Sequence, residues 1–270
     1  MKAYRIFISS TLFFIAMACE EKFGFDFKTT NTGLLVVEAI LTNEKTNQMV
    51  RLTLPHQQLN EKPEAATGAL VSIMEGSDKV FLLEEIPVGS GEYFTEELTA
   101  VSNRVYTLTI QYQGKTFTAQ NQSVPVEPMP PLAYQALGDG PSTFRLTPSA
   151  FGNEPNFIRY TVNWSGTPAC VQSAQCKGEI YFYDLKSIDV AEVFKTEKAD
   201  FTFPANTVII RKKFSVNPLY KDFLRSALSE AEWRGGFFDV ERDNLPTNLS
   251  EGAIGFFAVS TVLTDTTLVR

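Results

Sequence analysis

Short apolar runs separated by turn residues fill the first half of the chain. Residues 34–41 form one such run, and residues 49–54 alternate apolar and polar side chains as a half-buried strand does. Two hairpins follow, with turns at residues 75–78 and 113–115. About seven strands fit in this part of the chain. The pattern predicts an immunoglobulin-like or fibronectin-like β-sandwich over residues 34–124.

Two aromatic blocks lie where such sandwiches keep their corner tyrosines. Tyr93 and Phe94 follow Gly91, and Tyr106 lies in the run at residues 105–108. We expect these rings to pack in the core. No Cys-Trp-Cys spacing accompanies them, so a true immunoglobulin domain is not indicated.

The pattern breaks at a proline-rich segment. Four of the eight residues 124–131 are proline, which removes backbone donors and excludes a central strand. A proline-rich peptide can also be a ligand for an aromatic groove. We interpret residues 125–131 as a semi-rigid linker between two domains, which is the commoner use of such segments.

Strand-like runs resume after the linker and predict a second, β-rich domain over residues 132–270. Gly252 and Gly255 interrupt the penultimate run, where they allow a bend or a close approach of two backbones. The predicted strands of this domain are 143–146, 156–164, 179–184, 252–260 and 266–269.

One segment of the second domain has helical periodicity. Asn217 is a favourable cap and Pro218 suits the first helical position, so a helix is predicted near residues 217–233. We expect its apolar side to pack on the C-terminal sheet, with a partner protein as the alternative. That side carries Leu219, Phe223, Ala227 and Ala231, with Leu224 and Leu228 beside them.

The first residues have the pattern of a lipoprotein signal peptide. Lys2 and Arg5 precede a short apolar stretch that ends at Cys19, and the small residues Ala16 and Ala18 suit a peptidase. The stretch is too short to span a bilayer of about 30 Å. We predict a signal peptide over residues 1–18, lipid attachment at Cys19 and a tether over 19–33. A secreted protein cut nearby, or an incidental cysteine, is the alternative.

The residues after Cys19 bear on where the protein is delivered. Glu20, Glu21 and Lys22 are similar to the acidic export signal that sends lipoproteins of the Bacteroidetes phylum to the cell surface. Simple polarity of a tether is the alternative, because carboxylates do not enter a headgroup layer readily. We predict an outer-membrane lipoprotein that faces the cell exterior, with an inward, periplasmic orientation as the second possibility.

Charge excludes nucleic acid as a partner. Without residues 1–18 the chain has 22 basic and 31 acidic residues, a net charge of −9. A phosphate backbone needs clustered Lys and Arg, and the one basic run is Arg211-Lys212-Lys213. It follows an apolar run, so we interpret it as the charged end of a strand. No apolar run of about 18 residues follows Cys19, so no transmembrane helix is predicted after it.

The two remaining cysteines are close in sequence. In an oxidising compartment Cys170 and Cys176 most simply form a disulfide, which stabilises so short a loop by roughly 2 kcal/mol. A metal site is the alternative, but no histidine or third cysteine lies near. We therefore predict the disulfide and no bound metal.

No constellation of residues indicates an enzyme. The single histidine, His56, lies in a predicted loop, and adjacent pairs such as Glu84 and Glu85 point to opposite faces of a strand. One acidic trio alternates along the chain, so a hard cation or a hydrolytic site there is the alternative to a surface loop. It consists of Asp239, Glu241 and Asp243. We predict no catalytic residues and no cofactor other than the lipid on Cys19.

The order of these motifs resembles an uncharacterised family of Bacteroidetes envelope lipoproteins, known as a domain of unknown function, whose genes often lie beside those of TonB-dependent outer-membrane receptors. The resemblance covers nearly all of the mature chain. It is carried by Cys19, residues 35–39, 41–43, 67–71, 91–93 and 105–108, the linker, and residues 246–248 running into 252–257.

The resemblance implies an accessory lipoprotein that docks on a TonB-dependent receptor and helps to capture a nutrient. It provides no catalytic residues to transfer. A structural or adhesive cell-surface role is the competing interpretation, in which the sandwich is a spacer and the second domain holds a matrix or partner protein. The ligand is unknown in either case.

Overall fold

The computed structural model describes residues 33–55, 62–138, 143–147, 152–172, 175–186, 202–231 and 245–270. Gly33–Arg270 forms one compact unit. Its first seven strands are β1 (Leu35–Thr42), β2 (Thr46–Thr53), β3 (Leu70–Glu75), β4 (Lys79–Glu85), β5 (Glu92–Leu98), β6 (Val105–Tyr112) and β7 (Lys115–Gln122). The later elements are β8 (Tyr134–Ala136), β9 (Thr143–Leu146), β10 (Asn156–Asn163), β11 (Lys177–Asp184), β12 (Thr202–Pro204), β13 (Val208–Ser215), the helix α1 (Pro218–Ala231), β14 (Ala253–Ser260) and β15 (Val262–Leu268). The prediction of a mainly β fold with one amphipathic helix is confirmed.

The first seven strands and β14 lie in one sheet with the order β14-β1-β2-β5-β4-β3-β6-β7. The strands β3, β4 and β5 form a meander, and β2 and β6 return to flank it, which makes two overlapping Greek keys. The two halves of a sandwich, β1-β2-β5 and β3-β6-β7, are thus joined through β4. Inward-facing side chains such as Val37, Leu52, Ile73 and Leu108 fill the core between them.

The strand β14 comes from the segment predicted as the C-terminal domain and almost closes this sheet. It pairs in parallel with β1, from Leu35 opposite Ala253 to Thr42 opposite Ser260. On its other side, Asn121 of β7 and Asn248 each donate a side-chain hydrogen bond to the carbonyl oxygen of Phe257, at 2.8 Å. The two ends of the sheet are therefore held together by asparagine side chains.

Tyr106 forms the tyrosine corner that the sequence predicted near the start of β6. Its hydroxyl accepts a hydrogen bond from the backbone N–H of Val101 at 2.8 Å and donates one to Glu75 Oε1 at 3.2 Å. Such a corner, from a tyrosine to the backbone a few residues upstream, is typical of immunoglobulin-like sandwiches. Burial raises the pKa of the Tyr106 hydroxyl, so it stays a neutral donor throughout the physiological range.

Tyr106→Phe is expected to lower the free energy of unfolding by about 1.5 kcal/mol, because it leaves the Val101 N–H without its acceptor. Denaturant unfolding followed by circular dichroism measures the change. Tyr112→Phe is the matched control, since the Tyr112 hydroxyl accepts an exposed bond from the side chain of Gln113. An equal loss of unfolding free energy in both variants would show that the tyrosine corner stabilises the fold no more than an exposed hydroxyl does.

Two smaller sheets and the helix α1 form the rest of the regular structure in the described ranges. One has the order β11-β10-β13-β15 and the other β12-β9-β8. The two sheets share a hydrophobic cluster in which Phe144 and Phe203 meet Ile158, Tyr160 and Ile209. The second part of the chain is therefore β-rich, as predicted.

The helix α1 packs where the large sheet meets the four-stranded sheet. The Asn217 side chain accepts a hydrogen bond from the Tyr220 N–H at 2.9 Å, which confirms the predicted cap. Tyr220 and Phe223 stack on Phe256 of β14, with ring centroids 5.1 and 5.0 Å apart. The predicted apolar side is wrong at Leu219, which is exposed, because Tyr220 rather than Leu219 points into the interface with β14.

The basic run at residues 211–213 lies inside β13 and not at a strand end, which corrects the sequence interpretation. Arg211 and Lys213 are buried on one face, where they donate to the carbonyl oxygens of Pro130 at 2.8 Å and Glu127 at 3.1 Å. Lys212 points the other way and pairs with Glu44 at 2.6 Å. The run therefore fastens the proline-rich segment and the β1–β2 turn to β13.

Candidate docking surface

Several residues singled out from the sequence lie outside the described part of the chain. They are Cys19, Glu20, Glu21, Lys22, His56, Asp239, Glu241 and Asp243. Cys170 and Cys176 do form the predicted disulfide, which closes the loop between β10 and β11.

Within the described ranges, no three His, Cys, Asp or Glu side chains come together as metal ligands do. The same ranges contain no helix with the length and apolar character needed to cross a membrane.

The most unusual surface lies on the outer face of β3 and β4. Leu70, Val80 and Leu82 are 70%, 58% and 74% exposed there, and we call these three residues the apolar strip. Their inward-facing neighbours, among them Val71 and Phe81, are buried in the sandwich core. These strands are therefore apolar on both faces, although a half-buried strand normally has a polar outer face. Clustered apolar side chains of this kind mark a surface where another molecule docks.

Strand register makes the strip continuous. Leu82 lies opposite Ser72, and Val80 lies opposite Met74, which is half-buried. Leu70 precedes Val71, the partner of Leu83, so it lies diagonally beside Leu82, about 7 Å away for such a pair. The strip thus follows the length of the β3–β4 hairpin.

The charged groups near the hairpin turn lie on the inward side of the two strands. Glu75 alternates with the buried Val71 and Ile73, and it pairs with Arg104 at 2.9 Å. Lys79 lies over the ring of the buried Phe81 at 4.4 Å. On the outer face Glu84 is exposed on β4, so a carboxylate borders the strip at its Leu70 end.

The start of β3 is fixed by Tyr93. Its buried hydroxyl donates to the Ala66 carbonyl oxygen at 2.8 Å and accepts from the Ala69 N–H at 3.0 Å. Burial raises the pKa of this hydroxyl, which keeps it in the neutral form that can do both. The backbone that presents Leu70 is therefore held in one conformation before any partner binds.

The outer face of β6 and β7 is different in character. A shallow groove of about 450 Å³ lies there, and none of the side chains that line it is charged. Asn248 and Ser250 already bind strand backbone, at Gln120 O and Thr118 N. The lining consists of Thr107, Thr118, Ala119, Gln120, Asn248, Leu249 and Ser250. This groove arises from closure of the sheet, and the apolar strip remains the better candidate for binding.

Sequence reasoning missed the strip although its signal was present. Residues 69–74 and 80–83 are nearly continuous apolar runs rather than alternating ones, which indicates burial on both faces. The structure covers one face only, so the second face is exposed.

Comparison with protein-family models places the chain in a family. Residues 20–266 match the model described as a domain of unknown function (DUF4249), and the chain belongs to that family. The resemblance to a family of unknown function is thereby confirmed. A search of curated proteins found no match.

Proposed function

We propose that this member of the family is a non-enzymatic lipoprotein of the Bacteroidetes outer membrane, held by lipid on Cys19 and exposed on the cell surface. In this proposal it serves as an accessory or ligand-binding subunit of a TonB-dependent receptor import complex. The signal-peptide pattern ending at Cys19 and the acidic residues Glu20 and Glu21 support the anchor and the address.

The apolar strip is the observation that carries the binding role. Three large apolar side chains are exposed on a hydrogen-bonded hairpin. Burying each of them in an interface, out of water, is favourable in free energy. Fully burying one such side chain is worth about 1.5–3 kcal/mol, so three provide the centre of a stable interface. A protein partner fits this surface because small-molecule sites are concave, whereas the outer face of an almost closed sheet is convex.

The test is isolation of the complex from its native outer membrane. The full chain carries a C-terminal tag, is extracted in mild detergent, and its partners are identified by mass spectrometry. We expect a TonB-dependent receptor in stoichiometric amount and a diacylglyceryl group on the N-terminal cysteine. Recovery of the chain alone, or with matrix proteins, would instead favour the structural or adhesive role.

Replacement of the strip by threonine tests whether it makes the contact. Leu70→Thr, Val80→Thr and Leu82→Thr together are expected to lower receptor recovery about tenfold or more, since hot-spot side chains dominate binding. Threonine keeps the β-propensity of the strands. The matched control replaces three exposed strand residues elsewhere, Val208, Ile254 and Leu268, in the same way. Equal recovery of both triple variants would contradict a role for the strip.

A further inference from the structure

A second exposed apolar element lies at one end of the large sheet, between β4 and β5. Residues 86–91, which we call the rim loop, leave Ile86 52% and Val88 91% exposed. Glu85, at the base of this loop, also binds the N–H of Gly68, two residues before Leu70. The rim loop therefore adjoins the Leu70 end of the apolar strip and extends beyond the edge of the sheet.

The rim loop is held in place by one carboxylate. Glu85 Oε1 accepts the N–H groups of Gly89 at 3.1 Å and Gly91 at 2.9 Å, and its Oε2 accepts that of Gly68 at 3.2 Å. Gly91 lies so close to Leu52 that a Cβ atom there would be 2.4 Å from the Leu52 carbonyl oxygen. The tip with Val88 is thus preorganised, and its apolar residues meet a partner without an added cost of ordering.

The rim loop lies at the end of the sheet where the chain enters it. Val36 of β1 is opposite Thr53 of β2, and Arg51 is opposite Glu92 of β5. The start of β1 and the start of β5 are therefore at the same edge, which we call the entry rim. Two strand spacings separate them, about 10 Å. Gly33, the first described residue, precedes β1 at this edge.

Covalent connection keeps the entry rim near the lipid. Only residues 20–32 separate Cys19 from Gly33, so even a fully extended chain puts Gly33 at most about 50 Å from the lipidated residue. Every part of the opposite edge of the sheet lies farther along the strands, by about 25 Å for eight residues. The chain from Cys19 therefore joins the described unit at the entry rim, the edge that also carries the rim loop.

We propose that the rim loop is a membrane contact, in which Val88 and Ile86 enter the headgroup layer of the bilayer that holds the lipid anchor. The inference rests on the proposed lipidation of Cys19. The rim loop shares the edge at which the chain from Cys19 enters the unit, and its apolar side chains gain free energy by leaving water for the boundary between headgroups and acyl chains. The contact orients the unit with its entry rim toward the membrane.

Depth-dependent quenching of tryptophan tests this contact. Val88→Trp is made in the full chain, which is purified with its lipid and inserted into vesicles of phosphatidylcholine brominated on its acyl chains. We expect emission at position 88 to fall about twofold relative to unbrominated vesicles, because interfacial elements bury about 5–10 Å into the headgroup boundary. The signal of the parent chain, which contains Trp164 and Trp233, is subtracted.

Val101→Trp is the matched control, because Val101 is also exposed but lies between β5 and β6 at the opposite edge. Its emission is expected to be unchanged by bromination. Equal emission changes at both positions in lipidated chain would overturn the membrane contact. If position 88 were shielded from water in native outer membranes but not in protein-free vesicles, a protein partner would explain the shielding. That result would also overturn the membrane contact.

The mass of the purified chain separates the two proposals. A chain without lipid on Cys19 would overturn the proposed anchor and, with it, this orientation. A lipidated chain whose residue 88 is not quenched would overturn the membrane contact alone.

Discussion

Gly255→Ala is expected to lower the free energy of unfolding by about 4 kcal/mol or more, an unusually large loss for a single methyl group. Gly255 has a φ of +98°, and a Cβ atom there would lie 2.1 Å from the carbonyl oxygen of Val37. It would also lie 3.0 and 3.1 Å from the Val37 carbonyl carbon and amide nitrogen. These are backbone atoms of β1, directly opposite Gly255 in the parallel pairing, so relief requires β1 and β14 to separate.

Denaturant unfolding of the variant, followed by circular dichroism, measures this loss. Gly114→Ala is the matched control, since Gly114 has a φ of +75° but nothing within 4 Å of a Cβ atom. It carries only the backbone penalty of a left-handed residue, about 1–2 kcal/mol. A loss at Gly255 no larger than that at Gly114 would show that β14 does not approach β1 as closely as described.

Asp265→Ala is expected to cost about 3 kcal/mol, since it leaves a buried guanidinium without its carboxylate. The Arg211 side chain is 4% exposed, and its Nε and Nη2 atoms both donate to the Asp265 carboxylate. One further bond, to the Pro130 carbonyl oxygen, remains in the variant at 2.8 Å. The variant thus loses the counter-charge while the arginine stays enclosed by the proline-rich segment.

The matched control for this pair is Glu92→Ala. Glu92 pairs with Arg51 at 2.8 Å on the surface of the large sheet, where both partners are partly exposed. An exposed ion pair contributes about 0–1 kcal/mol, so the control should unfold close to the parent chain. A high salt concentration should reduce the loss of unfolding free energy caused by Glu92→Ala. It should leave most of the loss caused by Asp265→Ala. Similar losses of unfolding free energy in the two variants would contradict the conclusion that the Arg211–Asp265 pair acts as a buried ion pair.

Local sequence patterns predicted most of the secondary structure. The hairpins at 75–78 and 113–115 are turns in the structure, and Asn217 caps α1, because these features depend on residues close in sequence. Gly255 was predicted to allow a bend or a close approach of two backbones, and the structure shows the close approach, to Val37. What the sequence left open was the identity of the approaching strand.

The features that the sequence did not predict depend on contacts between residues far apart in the chain or on which faces the fold covers. Arg211 and Lys213 resemble solvated residues in sequence, but their partners are Asp265, Pro130 and Glu127, at least 54 positions away in sequence. Leu219 has the right spacing for the buried side of α1 yet is exposed, because the neighbouring Tyr220 reaches Phe256. The apolar strip could have been recognised from its continuous apolar runs, but its exposure depends on which faces the fold covers.

The pairing of β1 with β14 has a consequence for the order of folding. Leu35 is opposite Ala253, so two residues that pair directly are 218 positions apart in the chain. Synthesis from the N-terminus completes β1 long before β14 exists, and loops of that length close slowly. Until then the free edge of β1 is a template for pairing with other chains. We therefore expect a nascent or C-terminally truncated chain to be prone to pairing at this edge, which β14 covers in the complete fold.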